Sequence, residues 1–216
     1  VLWEETIRPD LSNSDDVVLP CLCGTTISSS ARLPHLNYDT IEIGELKFFV
    51  QLYEGLDTLI KAFSMRFNNE KVRLVIGGDG SQRQWLEGIA KNEGIENQVT
   101  FTGALSREEV AEWMNKCDAF VLPSRYETFG VVYIEALASG KPVIGTFNGG
   151  AEDIVNQDVG ILVEIDNIKD LSDAMEYMRK NNKGYKPEKL RKYCTEKFSA
   201  NVIIKKIINV YKEVIK

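Results

Sequence analysis

Short apolar runs alternate with amphipathic helical segments from residue 46 to the end of the chain, and this alternation limits the folds that the chain can adopt. The predicted strands are LKFFV (46–50), VRLVIGG (72–78), VTFTG (99–103), DAFVLPS (118–124), PVIGT (142–146) and GILVE (160–164). Strands that are apolar along their whole length are buried on both faces, which is typical of parallel sheets connected by right-handed helical crossovers. The sequence therefore predicts an open, doubly wound α/β domain.

The segments between these strands have the 3.6-residue periodicity of helices. In the first, residues 55–67, four apolar side chains share one face: Leu56, Leu59, Ile60 and Phe63. The other predicted helices cover residues 81–94, 106–117, 131–140, 168–180, 187–197 and 200–215. Gly94 is expected to end the second helix, and Ser106 with Glu109 forms a predicted capping box at the start of the third. Trp85 and Trp113 lie on predicted helix faces, and we interpret both as core residues.

Composition excludes several classes of protein. Apolar residues make up 44% of the chain and charged residues 27%, as in folded globular proteins. The net charge of -6, without a long run of like charge, argues against a nucleic-acid or anionic-membrane surface. No run of 18 apolar residues predicts a membrane span, so the sequence gives no indication of membrane association. The N-terminal residues lack the pattern of a secretory signal.

Four cysteines and one histidine offer little metal or redox chemistry. The cysteines are Cys21, Cys23, Cys117 and Cys194. They are too few and too scattered for a disulfide framework, and no second pair completes a zinc site. We interpret them as reduced thiols, so we expect a cytoplasmic location. His35 is the single histidine, so neither a histidine-based triad nor a histidine metal site is available.

Residues 1–45 differ from the rest of the chain because they contain no clear amphipathic helix. We interpret them as an N-terminal extension or a remnant of a larger domain, and residues 46–216 as the folded domain. In doubly wound sheets, ligands bind outside the carboxyl ends of the strands. The turns after residues 51, 78, 103, 124 and 146 are therefore the candidate sites.

The turn after the fourth predicted strand is the most informative of these. It leads through YETFG into a helix, whose first amides, those of Phe129, Gly130 and Val131, are expected to point out of a positive helix end that suits a phosphate. Glu127 precedes this helix start and Glu135 follows it. Two carboxylates beside a phosphate site suit a nucleotide sugar. The alternative is that Glu127 merely complements the helix dipole and Glu135 is solvated.

The E-x7-E pair lies within PSRYETFGVVYIEALASGKPVI, and Gly149-Gly150 and Asp153 follow it. This pattern strongly resembles the retaining GT-B glycosyltransferases of the family-4 type. The resemblance extends over residues 46–216 and matches the C-terminal, donor-binding half of such enzymes, which is a Rossmann-like domain. It implies that Glu127, the expected catalytic residue, meets hydroxyls of the donor sugar. It also implies that Glu135 accepts hydrogen bonds from the ribose and that the three amides hold the pyrophosphate.

The resemblance assigns two further turns to the donor. The nucleobase is expected against the turn formed by Gly103, Ala104 and Leu105. Gly149 and Gly150 are expected near the donor sugar, with an acidic residue that Asp153 matches better than Glu152, although plain turn chemistry is an alternative for this segment.

The resemblance also implies an activity. Such enzymes transfer a sugar from a nucleoside diphosphate to an acceptor with retention of anomeric configuration, and they generally need no metal or other cofactor. We expect a glycan or lipid-linked acceptor, bound by an N-terminal domain that this chain lacks, so the isolated chain is expected to be inactive.

One departure from the family pattern leaves alternatives open. Residues 50–55 lack the Arg and Lys that face the donor phosphates in the family, so no basic phosphate ligand is assigned. One hypothesis is that residues of a loop are missing from the sequence here. A second is that the chain is a non-catalytic nucleotide-sugar-binding module, and a third is a GT-B epimerase, for which we find no suitable acidic and His residues. A dinucleotide fingerprint at residues 77–81 fails, because Arg83 stands where its third glycine belongs.

Overall fold

The computed structural model describes residues 46–51 and 55–215. Six strands form one parallel sheet: β1 Leu46–Gln51, β2 Val72–Gly77, β3 Val99–Phe101, β4 Ala119–Val121, β5 Val143–Thr146 and β6 Gly160–Val163. Seven α-helices lie within the described residues: α1 Leu56–Phe67, α2 Arg83–Asn92, α3 Arg107–Lys116, α4 Val131–Ala138, α5 Ile168–Asn181, α6 Pro187–Phe198 and α7 Ala200–Val214. The predictions made for residues 1–45, including His35 and two cysteines, and for residues 52–54 lie outside the described residues.

The sheet has the strand order β3-β2-β1-β4-β5-β6, which confirms the doubly wound, Rossmann-like α/β prediction. Successive strands add to one side from β1 to β3 and to the other side from β4 to β6. The order of strands therefore reverses between β1 and β4, which pair through Phe48 and Ala119. In doubly wound sheets, a switch point of this kind is where ligands bind, outside the carboxyl ends of the strands.

The core confirms that helices cover both faces of the central strands. Phe48, Phe49 and Val50, three consecutive residues of β1, are all fully buried although their side chains point alternately to opposite faces. The edge strands differ, because Thr100 of β3 is exposed.

The two tryptophans differ in burial. Trp113 is buried, as predicted, and stacks on Phe49 with ring centroids 6.4 Å apart. The prediction for Trp85 is wrong, because its side chain is 53% exposed. Helix α2 buries Leu86 and Ala90, one turn apart, and Trp85 lies about 100° around the helix from Leu86, outside the buried stripe.

The predicted caps are present. Ser106 accepts a hydrogen bond from the Glu109 amide, and Glu109 accepts one from the Ser106 amide, which completes the capping box of α3. Gly94 adopts φ +71° just after α2, as the C-terminal cap requires. Two 3₁₀ turns were not predicted, at Ala151–Asp153 and Asn182–Gly184. None of the helices that the structure describes is long and apolar enough to cross a membrane.

Candidate functional site

The start of α4 lies at the switch point and depends on a glycine. Gly130, the residue before the first turn of α4, has φ +79°, where L-residues are strained. A side chain there would also collide with the ring of Tyr133, because a Cβ atom would lie 2.6 Å from Cδ2. Glycine therefore allows the chain to turn from the strand into the helix at this point.

The amides at this helix end differ in their partners. Among the residues that the structure describes, no acceptor approaches the amides of Gly130 and Val131. The Phe129 amide differs from the expectation of an open donor, because it donates to Glu127 Oε1 at 3.4 Å. The Thr128 amide donates to the same oxygen at 3.0 Å. In this conformation the Glu127 carboxylate is therefore held by its own turn, and the amides of Gly130 and Val131 beside it carry no hydrogen bond to any described residue.

Glu135 lies on the exposed side of the same helix. It follows Val131 by four residues, which places it one turn along the same face, about 6 Å further down the axis. Val131 is exposed and Glu135 is half-buried, whereas the other residues of 132–137 are buried. The carboxylate thus belongs to a helix face that begins at the open amides.

The turn after β5 meets the turn after β4. A Cβ atom on Gly150 would lie 2.5 Å from the carbonyl oxygen of Glu127 and 3.0 Å from the Phe129 nitrogen, so the two backbones touch. Gly149, at φ +96°, donates its amide to the Glu152 carboxylate at 3.0 Å. Asp153 lies exposed in the following 3₁₀ turn. The structure therefore brings Gly149 and Gly150 to the Glu127 turn.

The predicted nucleobase turn lies elsewhere on the same edge of the sheet. Gly103 follows β3 and accepts a hydrogen bond from the Gly78 amide at 2.8 Å, and Leu105 packs against Gly77, the last residue of β2. Ala104 is exposed between them. Since β3 is three strands from β4, and strands lie about 4.8 Å apart, the two strands are about 14 Å apart across the sheet.

Arg83 borders this turn, a feature that sequence reasoning missed. A Cβ atom on Gly103 would lie 3.3 Å from Arg83 Nη1, and Arg83 Nε donates to Glu87 at 2.8 Å. The hydrogen bond with Glu87 raises the pKa of the guanidinium.

Arg125 is a second cation that the sequence analysis did not assign. Its Nε lies 2.9 Å from both carboxylate oxygens of Asp166, and Nη2 donates to Asp57 at 3.4 Å. The hydrogen bond with Arg125 lowers the pKa of Asp166, and the reciprocal hydrogen bond raises that of Arg125. These pairs join the turn after β4 to the first turn of α1 and to the loop after β6, so Arg125 is held by protein carboxylates.

Tyr133 lies directly beneath the helix start. It is fully buried and donates from its hydroxyl to the Leu122 carbonyl at 3.2 Å. Burial raises the pKa of this phenol. Gly145 makes room for it, because a Cβ atom there would lie 2.7 Å from the hydroxyl. Within residues 46–51 and 55–215, no group of three or more His, Cys, Asp and Glu side chains could hold a metal ion.

Comparison with protein families gives one match that covers more than half of the chain. The family model described as Glycosyl transferases group 1 matches residues 50–197. An uncharacterized glycosyltransferase of Methanocaldococcus jannaschii is 31% identical over 162 residues, which are 74% of this chain and 42% of that protein. The chain thus spans less than half the length of this curated relative.

Two solved structures show the same fold. HepE of Anabaena in complex with UDP has a TM-score of 0.69 at 22% identity, over 78% of this chain and 49% of that one. The C-terminal domain of a glycosyl transferase group 1 family protein from Francisella tularensis has a TM-score of 0.66 at 24% identity. That match covers 75% of this chain and 90% of that domain.

Proposed function

The chain belongs to the family of group 1 glycosyl transferases, and on this basis we propose that it is the donor-binding domain of a retaining, family-4-type enzyme. The donor is a nucleoside-diphosphate sugar. The observation that carries the proposal is the start of α4, where the open amides of Gly130 and Val131 lie beside the Glu127 carboxylate. A helix start of this kind binds phosphate through its amides and its dipole.

The Glu127 contact suggests how the donor is received. A phosphate at the α4 start would compete with the Glu127 carboxylate for the Phe129 amide, which adjoins the amides of Gly130 and Val131, because both groups are anions. Diphosphate binding is therefore expected to displace Glu127 from the Phe129 amide. The hydrogen bond between them is long, at 3.4 Å, and so is easily broken. The released carboxylate then accepts hydrogen bonds from hydroxyls of the donor sugar and acts as the catalytic residue.

The remaining contacts follow from the placement of the two turns. Glu135 receives the ribose hydroxyls, because it lies one turn along the face that begins at the diphosphate. The turn of Gly103, Ala104 and Leu105 receives the nucleobase through backbone groups, and the turn of Gly149, Gly150 and Asp153 borders the sugar.

The proposed reaction breaks the bond between the anomeric carbon and the diphosphate. An acceptor hydroxyl bonds to the same face of that carbon, and its proton passes to the departing diphosphate. The helix dipole of α4 stabilises the charge that develops on this leaving group, so no divalent metal is required. The acceptor is a glycan or a lipid-linked sugar held by a second domain, and the isolated chain is inactive without it. We place the reaction in the cytoplasm, since the thiols are interpreted as reduced.

A non-catalytic nucleotide-sugar-binding module is the second candidate. Two observations favour it. Residues 50–55 contain no basic residue, and Arg125, which directly follows Ser124 at the start of the β4–α4 turn, is paired with Asp57 and Asp166. Without a cation at the diphosphate, stabilisation of the leaving group by several kcal/mol is lost.

Calorimetric titration tests the proposal. UDP, GDP and ADP, each also as its hexose conjugate, are titrated into the chain. One nucleoside diphosphate is expected to bind, with the same affinity in excess EDTA. Glu135→Ala is expected to weaken this binding by about tenfold or more, the loss of one hydrogen bond to a charged group. Glu188→Ala, which removes an exposed glutamate from the first turn of α6, is the matched control.

Three outcomes separate the candidates. Failure of all three nucleotides to bind would contradict both donor-binding candidates. Sugar transfer by the full-length protein, with the product anomer matching the donor by NMR, supports the retaining enzyme over the binding module. Transfer by the isolated chain would contradict its proposed dependence on a second domain.

A further inference from the structure

A cluster of buried polar groups lies under the two turns that border the proposed sugar position. Its members are Ser124, Thr146 and Asn148, which are 1%, 2% and 7% exposed. The surrounding core is apolar, and polar groups in such a place are destabilising unless they are hydrogen-bonded. None of these three residues was singled out in the sequence. Apolar packing alone therefore does not explain why three polar side chains are buried here.

Asn148 is the centre of this cluster, because its carboxamide uses every donor and acceptor position. Its Nδ2 donates to the Ser124 carbonyl at 3.2 Å and to Thr146 Oγ1 at 3.3 Å. Its Oδ1 accepts from the amides of Gly150 at 3.3 Å and Ala151 at 3.1 Å. Thr146 Oγ1 in turn donates to the Ser124 carbonyl. One side chain thus joins the turn after β4, the end of β5 and the start of the following 3₁₀ turn.

These bonds set the distance between the two turns at the site. Ser124 begins the turn that contains Glu127, and Gly150 lies against the Glu127 carbonyl. Asn148 holds the first turn through Ser124 and the second through Gly150. A fully satisfied buried network of this kind makes the local structure rigid, whereas a partly satisfied one is costly. The relative position of the two backbones therefore depends on the Asn148 carboxamide.

We propose that Asn148 is a positioning residue for recognition of the donor sugar. It does not touch the donor. It fixes the Gly149-Gly150 turn against the Glu127 turn, so that both meet the sugar in one arrangement. This inference rests on the proposed function, because it requires a sugar at the place where the two turns meet. The diphosphate depends on the start of α4 instead, so the sugar and the diphosphate respond differently to loss of Asn148.

The test compares affinities for a nucleoside diphosphate and its sugar conjugate, using whichever of UDP, GDP and ADP the chain binds. The readout is the dissociation constant for the diphosphate divided by that for the sugar conjugate, so a larger ratio means a larger contribution of the sugar to affinity. Asn148→Ala is expected to reduce the contribution of the sugar to affinity by about tenfold, the effect of losing about 1.4 kcal/mol. The dissociation constant for the diphosphate is expected to change by less than about threefold, within the effect of an ordinary surface substitution.

A second pair of variants covers the case in which Asn148→Ala does not fold. Thr146→Val keeps the shape of the side chain and removes its hydroxyl, so it is expected to lower the ratio as well. Thr146→Ser keeps the hydroxyl that donates to the Ser124 carbonyl, and it is expected to restore the ratio.

Gln98 provides the matched control. Its carboxamide also joins separate backbone segments, because Nε2 donates to the carbonyls of Phe67, Glu70 and Val72 at 2.7, 2.9 and 3.2 Å. These bonds lie between α1 and β2, away from the α4 start. Gln98→Ala is expected to lower the melting temperature and leave the ratio unchanged.

The outcomes distinguish the two proposals. If the unaltered chain binds no nucleotide, the proposed function fails and the role of Asn148 fails with it. If the chain prefers the sugar conjugate, and folded Asn148→Ala or Thr146→Val keeps the full preference, the positioning role alone is overturned. Equal loss of both affinities, as a merely structural residue would give, also overturns it.

Discussion

The Glu127 carboxylate has two alternative partners, the backbone amides of its own turn and, in the proposed complex, the hydroxyls of the donor sugar. In the absence of a ligand it accepts hydrogen bonds from the Thr128 and Phe129 amides, in the turn that leads into α4. In the proposed complex the diphosphate takes over that position and the carboxylate turns to the sugar. We therefore propose that this turn contact is the resting state of the Glu127 side chain.

This exchange predicts opposite effects of Glu127→Ala on two ligands. The affinity for the nucleotide sugar is expected to fall by about 10- to 100-fold, the effect of a hydrogen bond to a charged acceptor. The affinity for the diphosphate alone is expected to stay the same or rise, since a competing anion is removed. Calorimetry measures both. Glu109→Ala is the matched control, because it also removes a carboxylate that accepts a hydrogen bond from a backbone amide before a helix, but should leave both affinities unchanged. Parallel loss of both affinities in Glu127→Ala would contradict the exchange.

Gly130 gives a second prediction at the same scale. Gly130→Ala is expected to lower the free energy of unfolding by about 1–3 kcal/mol, because φ +79° is strained for alanine and its methyl group would collide with Tyr133. It is also expected to abolish diphosphate binding, since relief of the collision moves the open amides. Urea unfolding and calorimetry measure the two effects.

Gly94→Ala is the control for Gly130→Ala, because it introduces backbone strain without displacing the amides of the α4 start. Gly94 has φ +71°, but a Cβ atom there would meet only Asn68 Nδ2, at 3.8 Å. The variant is expected to cost about 1 kcal/mol of stability and to keep full diphosphate affinity. Full affinity in Gly130→Ala as well would show that the α4 start is not the phosphate site.

Among the elements, α5 contains a carboxylate whose ionisation stabilises the fold. Glu176 lies 2.7 Å from Arg179 and 2.8 Å from Lys180, and its side chain is only 12% exposed. The hydrogen bond with Arg179 lowers the pKa of Glu176 to about 2. Because this value is below that of the unfolded chain, the stabilisation is complete above about pH 4.5 and is lost as the pH falls towards 2.

Glu176→Gln is therefore expected to lower the free energy of unfolding by about 1 kcal/mol at pH 7, after allowance for solvent screening. The difference from the unaltered chain should shrink below pH 4.5 and vanish near pH 2. Urea unfolding across this range measures it. Glu196→Gln, whose exposed pair with Lys192 spans 3.7 Å, is the control and should have no measurable effect. A difference that persists to pH 2 would contradict the role of ionisation.

The elements were largely predictable because each had a local signal. Continuous apolar runs predicted the strands, and capping patterns such as Ser106 with Glu109 predicted helix starts. Packing set what the pattern could not: Trp85 is exposed because α2 buries only a narrow stripe. Helix α7 was predicted from its periodicity, but the pattern did not show that Ile204, Ile207 and Ile208 are each about half exposed in the described part of the chain.

At the scale of the whole molecule, the candidate site was predictable only in part. The E-x7-E spacing and Gly130 identified the α4 start, because they lie in one continuous segment. The ion pair of Arg125 with Asp166 and the bonds of Asn148 to Ser124 join residues 41 and 24 positions apart. Such contacts depend on the strand order, in which β4, β5 and β6 are neighbours, and no local pattern encodes them.

The buried thiols report on cooperativity of the whole domain. Burial raises the pKa of Cys117 to about 12 and that of Cys194 to about 11, so almost no thiolate is present at pH 8. Iodoacetamide is therefore expected to alkylate both cysteines only when the domain unfolds, with the same rate at both positions. Peptide mass spectrometry measures the rates. Faster labelling of Cys194 than of Cys117 would indicate that α6 opens separately.

The central claim is that the start of α4 binds the diphosphate of the donor. A crystal structure of the chain with the nucleoside diphosphate that it binds tests this most directly. The account predicts phosphate oxygens about 3 Å from the amides of Gly130 and Val131, with the Glu127 carboxylate withdrawn from Phe129 and the ribose against Glu135. A diphosphate bound at another edge of the sheet, with Glu127 still capping the turn, would contradict it.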